Sequence, residues 1–445
     1  MALSLGQKAG WGLADMGIVV FVIVKQLLIL TYLTAFLGVP VGIAGFVTTA
    51  VLIFDMVTDP LVGYLSDRTQ SRFGRRAPWM FFGVLVMSAG MVGLFAVPAG
   101  MGMAANIGWV VAFFGVATVG FTMVAIPYSA QSGEITQDPK ERSTMTGFRM
   151  AFASVGILIG GALIPGLAEG RGYAVGALMV TPLMVGAVWI SLFATRKAPR
   201  IEKPATVPLW DVFGLVFANR AFVVLVLLYG VMTLAVAMIT AGLPFAAIYL
   251  INDTGDTPLS GAADALSVLS LMFAAFVAGS ILSQAVWVML SHRLGKVVAL
   301  VLGLLCYIGL LYALYSVLPS INVTMIAVLL LIGGMTNGAY QQIPWAIYPD
   351  LMDVTRAESG VAIEGAFSAI WLFGQKLANA VAPALLGLML ASAGWQESVD
   401  GVVPQTDRAL QTLQLSITLI PAAILAVAAV SLFLIYRPMA RQALA

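Results

Sequence analysis

Twelve apolar stretches, each long enough to cross a bilayer, decide most of what this 445-residue chain can become. Crossing the hydrocarbon core as a helix takes about 20 mostly apolar residues. The stretches lie near residues 10–37, 41–65, 78–98, 106–130, 144–166, 173–195, 221–250, 262–290, 297–316, 323–348, 360–391 and 409–436. They lack the two-residue alternation of a membrane β-barrel strand, so the expectation is an all-α integral membrane protein. Composition closes the other routes. Only 9% of the residues are charged, against about 25% in soluble domains, too few to cover a water-facing surface of this size. A net charge of +2 supplies no broad basic face for a phosphate backbone, so no nucleic-acid partner is expected. One cysteine and one histidine, Cys306 and His292, exclude an intrachain disulfide and a Cys/His zinc cluster. No Ser/His/Asp set can be assembled around His292, so the chain does not read as an enzyme and no organic cofactor is implied. The partners read are the lipid bilayer of the cell (inner or plasma) membrane and a solute, with a monomer as the default.

Twelve crossings return both termini to one side. Seventeen of the 22 Lys and Arg residues fall in the termini and in the loops after spans 2, 4, 6, 8 and 10. Two, Arg171 and Arg408, fall in the opposite loops, and three, Lys25, Arg149 and Lys376, fall within spans. The bias predicts cytoplasmic N and C termini.

The chain also repeats itself. Span 2 ends in Leu65-Ser66-Asp67-Arg68, followed by Phe73-Gly74-Arg75; span 8 ends in Leu290-Ser291-His292-Arg293, followed by Leu294-Gly295-Lys296. Span 4 ends with Pro127, Glu134 and Glu141-Arg142; span 10 ends with Pro344, Asp350, Arg356 and Glu358. Two parallel six-helix repeats are the signature of the major facilitator architecture. The expected plan is an N-terminal six-helix bundle over 1–195, a cytoplasmic central loop over 196–220, a C-terminal six-helix bundle over 221–436 and a cytoplasmic tail over 437–445.

Charges inside spans are costly, at least about 2.5–3.5 kcal/mol each at mid-bilayer, and so point to function. Asp55 and Asp59 lie four apart in span 2. That spacing puts both carboxylates on one helix face, about 5–6 Å apart at Cβ. Poorly solvated, they resist joint ionisation. A bound cation or a shared proton relieves the repulsion, and oxygen donors, with Thr58 beside them, suit a hard monovalent cation. A static ion pair with Lys25 or Lys376 would also relieve it. Lys25 itself has two readings: a counter-charge to Asp55 or Asp59, or attraction of an anionic group on a substrate. Arg149 could grip a hydroxyl-rich or anionic ligand with its planar fork, or close an inner gate. Lys376 could pair with the span-2 carboxylates. Asp15 reads as a solvated residue near the end of span 1, and Glu364 as an inner-gate residue. Trp11, Tyr128, Tyr340, Trp345, Phe367 and Trp371 are candidates for stacking on a ligand, although interfacial belts also use Trp and Tyr.

The run Phe54–Trp79, FDMVTDPLVGYLSDRTQSRFGRRAPW, resembles the glycoside–pentoside–hexuronide:cation symporter family, whose best-known member is the melibiose permease. Lys8, Trp11-Gly12, Gly17, Ile126-Pro127, Glu141-Arg142, Arg149, Arg356, Glu364, Lys376 and Gly387 extend the likeness along the chain. The resemblance implies that Asp55, Thr58, Asp59 and Thr122 bind the coupling cation, Na⁺ or H⁺, and that Lys376 lies near it. Lys25, Arg149, Lys376, Tyr128, Trp345 and Trp371 are the candidate substrate residues; of these the resemblance covers Arg149 and Lys376, whereas Lys25 is new and suggests a ligand with a negative group. Asp67, Arg68, Arg75, Arg76, Glu141, Arg142, Arg293, Lys296, Arg356 and Glu364 would form the inner gate. The family's acidic sugar-binding positions on helices I and IV fall here at Val19 and Ala125, whose side chains accept no hydrogen bond. The expectation is therefore a cation-coupled symporter of an anionic or modified sugar, working by alternating access. The alternatives are a symporter of a lysophospholipid-like amphiphile, which the family's wider circle includes, and an uncoupled facilitator.

Overall fold

The computed structural model describes residues 3–136, 139–198, 214, 216–359, 364–398 and 402–443. Within them twelve helices are long and apolar enough to cross a membrane. These are α1 (Leu5–Leu27), α2 (Val41–Ser66), α3 (Ala77–Phe95), α4 (Met103–Gln131), α5 (Thr144–Ala168), α6 (Tyr173–Thr195), α7 (Arg220–Tyr249), α8 (Val268–Leu294), α9 (Lys296–Val317), α10 (Val323–Met352), α11 (Ala369–Ser392) and α12 (Asp407–Gln442). Among the described residues the β structure is one isolated bridge, Ile251 to Ser320. In a lipid setting this is the expected economy, since a helix satisfies its own backbone groups.

The helices follow the apolar stretches, with three informative differences. α1 starts earlier than its apolar run, because Ser4 and Gln7 form a reciprocal capping box that satisfies two N-terminal donors. It then stops at Leu28, and the chain resumes as a short helix, Ile29–Ala35. The eighth stretch is divided at Ser267, whose φ of 76° separates Ser260–Leu266 from α8. The twelfth changes direction at Thr418, with φ −127° and ψ −84°. α5 contains a π-helical turn, Ile159–Leu163; such turns insert a residue and rotate the helix that follows.

The described residues divide into two compact units. The first comprises Met1–Lys203, Gly261–Ala274 and Glu397–Val403; the second comprises Pro204–Ser260, Ala275–Gln396 and Pro404–Ala445. In the first, α1 packs on α5 and α6, and α3 packs on α4 and α6. In the second, α7 packs on α11 and α12, and α9 packs on α10 and α12. The pairings are the same with six added to each helix number. The paired motifs agree as well: Gly74 and Gly295 both adopt the left-handed backbone, at φ 88° and 86°, a conformation that glycine enters at no steric cost.

Close approach within the first unit sets the site. A Cβ on Gly12 would lie 2.7 Å from the backbone nitrogen of Arg149. Glycine thus lets α1 lie directly on α5, as small residues do between lipid-embedded helices.

Candidate functional site

Three helices of the first unit bring ionisable groups together. α2 supplies Asp55 and Asp59, one turn apart on one face. Asp55 is 2% exposed, while Asp59 is half-buried. α4 supplies Thr122, which is fully buried. Its Oγ1 lies 3.2 Å from Oδ1 of Asp55 and 3.2 Å from Oδ1 of Asp59. It is also 3.5 Å from the hydroxyl of Thr58, which in turn donates to the Asp55 carbonyl at 3.0 Å. One hydroxyl carries one proton, so Thr122 can donate to only one carboxylate at a time. The other close oxygen–oxygen approach favours a positive charge among these oxygens. The donor set is all oxygen, which fits a hard cation.

α1 supplies the third side. Lys25, 6% exposed, donates from Nζ to Oδ2 of Asp55 at 2.9 Å. Its ammonium also sits 4.1 Å from the ring centroid of Phe121 and 5.8 Å from that of Phe21. Lys25 is thus ion-paired with Asp55.

A second ion pair lies toward the start of α1 and α5. Nε of Arg149 donates to Oδ2 of Asp15 at 3.0 Å. Asp15 is 4% exposed, which corrects the expectation of a solvated residue. The capping box moves the helix start back to Leu5, so Asp15 is well inside α1 and faces α5 rather than water. Tyr128 stacks on Trp11 at 4.7 Å and 21°, and the Arg149 guanidinium lies 5.4 Å from the Tyr128 ring. Arg149 keeps about a third of its side chain exposed, against 5% for Asp15.

Residues 10–437 match the model of the family described as MFS/sugar transport protein. The chain belongs to that family. This transporter is 25% identical to the inner membrane symporter YicJ of Escherichia coli (strain K12), over 88% of this chain and 84% of the relative. It is 23% identical to the sodium-dependent lysophosphatidylcholine symporter 1 of Xenopus tropicalis, over 89% of this chain and 80% of the relative. A bacterial homologue of the human lysosomal transporter Spinster, solved inward-facing and unoccupied, shares the fold. It superposes with a TM-score of 0.65 at 17% identity, over 99% of this chain and 97% of that one. The chain is a glycoside–pentoside–hexuronide:cation symporter-like transporter of the major facilitator superfamily, a multi-pass protein of the cell membrane and not an enzyme.

The remaining residues of the transporter fall into place with less uniformity. Among the inner-gate candidates, Nη1 of Arg76 donates to Ser66 Oγ at 2.7 Å, and Arg68 lies over the Tyr64 ring at 4.1 Å. Lys296 forms a salt bridge with Asp350 at 2.6 Å and also donates to the Ala346 carbonyl at 2.8 Å. Arg293 is exposed and Arg75 half-buried. The side chains of Asp67, Arg142, Arg356 and Glu364 lie outside the described residues, as does most of the expected central loop. In the second unit Lys376 is half-buried on α11. Trp345 is 38% exposed and accessible; its Nε1 donates to the Tyr229 hydroxyl at 3.1 Å. Trp371 is fully buried, stacked with Tyr229 at 4.2 Å and with Tyr348 at 4.9 Å. Phe367 is also fully buried, against Phe222 at 4.3 Å. Trp371 and Phe367 are therefore core residues here rather than exposed stacking surfaces. The Tyr340 hydroxyl donates to Thr233 at 2.9 Å. Sequence reasoning missed Phe121, Asp15 as the partner of Arg149, and Tyr229. The Ser4-Gln7 spacing was the available signal for Asp15.

Glu141 is the most heavily used gate candidate. It accepts from the Thr136 hydroxyl and the Leu3 amide, each at 2.7 Å, and pairs with Lys8 at 3.2 Å. These contacts, the Thr136 hydrogen bond foremost, hold its carboxyl below the usual carboxylate range. A depressed pKa stabilises the fold above the ordinary carboxylate pKa, and the contribution is lost as pH falls through the depressed value. Glu141→Gln is expected to lower the melting temperature at neutral pH. It is also expected to flatten the fall in melting temperature on acidification, measured by differential scanning fluorimetry between pH 7 and pH 3.

Proposed function

We propose that this transporter couples movement of a small organic solute to a monovalent cation, Na⁺ or H⁺, held by Asp55, Asp59, Thr58 and Thr122. The observation that carries the reading is the position of Thr122, 3.2 Å from a carboxylate oxygen of each aspartate. Binding a cation there adds positive charge to a poorly solvated, carboxylate-rich cluster, which gives the empty and loaded carriers different conformational energies. Cation and solute then raise each other's affinity by the same factor. Alternating access between the two repeats completes the cycle. The Lys and Arg distribution supports cytoplasmic termini, which would put Glu141, Arg76 and Lys296 on the inner side.

The solute reading rests on Arg149. With Nε engaged by Asp15, its two terminal nitrogens present a planar fork to an oxygen-rich group. An anionic or modified sugar fits that fork, and the sugar-transport family supports it. A second reading, an amphiphile with a charged head, is supported by the lysophosphatidylcholine symporter relative and by the apolar side chains at Val19 and Ala125.

Proteoliposomes test both. Accumulation of a uronide, a sulfonated sugar, a neutral galactoside and a lysophospholipid would be measured under an imposed Na⁺ or H⁺ gradient. Accumulation of a sugar or of the lysophospholipid separates the two readings. Asp59→Asn is expected to abolish cation-driven accumulation. An Asp59→Asn protein that still concentrates its solute against a gradient would sink the coupling site. Indifference of the wild type to both gradients would make the protein a facilitator.

A further inference from the structure

We infer that Lys25 is a tethered cation that competes with the coupling ion for Asp55 and thereby sets the transporter's affinity for Na⁺. The inference rests on the reading of Asp55 and Asp59 as the cation site and assigns that site a fifth participant. The Lys25 ammonium fills one part of the oxygen cluster, 2.9 Å from Oδ2 of Asp55. Asp55 presents its other oxygen to Thr122. Both carboxylate oxygens are therefore in use, one of them by a full positive charge. Asp59 is less buried than Asp55 and shares Thr122 with it. An incoming ion reaches Oδ2 of Asp55 only by displacing, or sharing that oxygen with, an ammonium.

The surroundings of Lys25 make that competition strong. Its Nζ faces the Phe121 ring at 4.1 Å, a contact that favours a cation electrostatically. The residue is 6% exposed, so Nζ has little access to water that would take over from Asp55. It also sits in the last turn of α1, two residues before Leu27, where the helix gives way to Ile29–Ala35. A permanent positive charge at this point has a clear consequence for a carrier. Without it, two adjacent, poorly solvated carboxylates would face each other whenever the ion left. With it, the site without an ion is one unit of charge less negative. The empty carrier is thereby spared part of the repulsion that an ion would otherwise have to relieve, and ion binding is weakened in proportion.

Removing the charge should strengthen ion binding. Purified protein would be titrated with NaCl against choline chloride at constant ionic strength, with ²²Na⁺ binding and melting temperature as readouts. Lys25→Met and Lys25→Gln are expected to lower the apparent Na⁺ dissociation constant by about tenfold or more. Lys25→Arg should stay close to wild type. Neutral variants that bind Na⁺ no more tightly than wild type would overturn the inference. So would neutral variants that remain unfolded in saturating NaCl as in choline, because Na⁺ would then not replace the ammonium. If they recover only in NaCl, the replacement is supported directly. Asp59→Asn, alone and with Lys25→Met, separates this inference from the reading beneath it. Loss of the Na⁺ response in Asp59→Asn, together with no tightening in Lys25→Met, rejects only the role of Lys25. A Na⁺ response that survives Asp59→Asn in both backgrounds places the ion elsewhere and rejects the site.

Discussion

Asp55→Asn is expected to do two kinds of damage at once, to coupling and to the fold. The substitution removes the charge partner of a buried ammonium while leaving the ammonium in place. Breaking a buried ion pair from one side is strongly destabilising, about 3–5 kcal/mol, because the surviving charge loses its direct partner. Cation-driven accumulation should disappear with it, since Asp55 supplies one of the two carboxylates. The two effects separate in the double variant Lys25→Met/Asp55→Asn, which removes both charges. Replacing a whole buried pair is often near neutral for stability. The double variant should therefore regain most of the lost melting temperature in detergent without regaining coupled uptake. Asp59→Asn, with Asp55 and Lys25 intact, should lose coupling with a much smaller change in stability. If Asp55→Asn melts at the wild-type temperature, the Lys25–Asp55 pair contributes no net stability, and the buried-charge account of this cluster is wrong.

Much of this was legible in the sequence, and the reasons are physical. A bilayer imposes a minimum length of apolar chain, so the twelve helices appear in the sequence with nearly their observed limits. The repeat was visible because inner-loop turns need particular residues: Gly74 and Gly295 occupy left-handed positions that other side chains rarely adopt. The pairing of Asp55 with Asp59 followed from helix periodicity. Which neighbours they touch did not. Thr122 is 63 residues from Asp59 in the chain, and no local pattern connects them; only the family resemblance pointed to it. Spacing also could not choose between the two readings of Lys25. Periodicity fixes the direction of a Cα–Cβ bond, whereas a lysine Nζ lies four bonds farther out. The aromatics were the least legible. Trp345, Phe367 and Trp371 all lie on apolar helices, and sequence does not show that Trp371 stacks with two tyrosines while Trp345 remains accessible. Asp15 was misjudged for a different reason. Its burial depends on where α1 begins, and the apolar run understated that by omitting the capped first turn.

The second large effect is expected at Arg149, where the question is geometry rather than charge. Arg149 satisfies a buried carboxylate through Nε, and on the proposed reading its two terminal nitrogens hold the solute. Lysine carries the same charge on a single nitrogen. At this position it must serve either Asp15 or the solute, and the buried carboxylate of Asp15 is the more demanding partner, at 4% exposure. Arg149→Lys should therefore fold nearly as well as wild type while losing charged hydrogen bonds to the solute. A hydrogen bond to a charged group is worth about 1.5–3 kcal/mol, which corresponds to a rise in KM of roughly 10- to 150-fold. The loss should appear for whichever screened solute is accumulated, and the dependence on cation concentration should be preserved. Arg149→Ala differs in kind: it leaves Asp15 buried without its partner and should destabilise the protein as well as disable it. Asp15→Asn/Arg149→Lys supplies the decisive comparison. Once Asp15 carries no charge, the lysine is released toward the solute, and part of the lost affinity should return. If KM in Arg149→Lys matches wild type, the guanidinium fork makes no contact with the solute, and Arg149 serves only to hold α1 against α5.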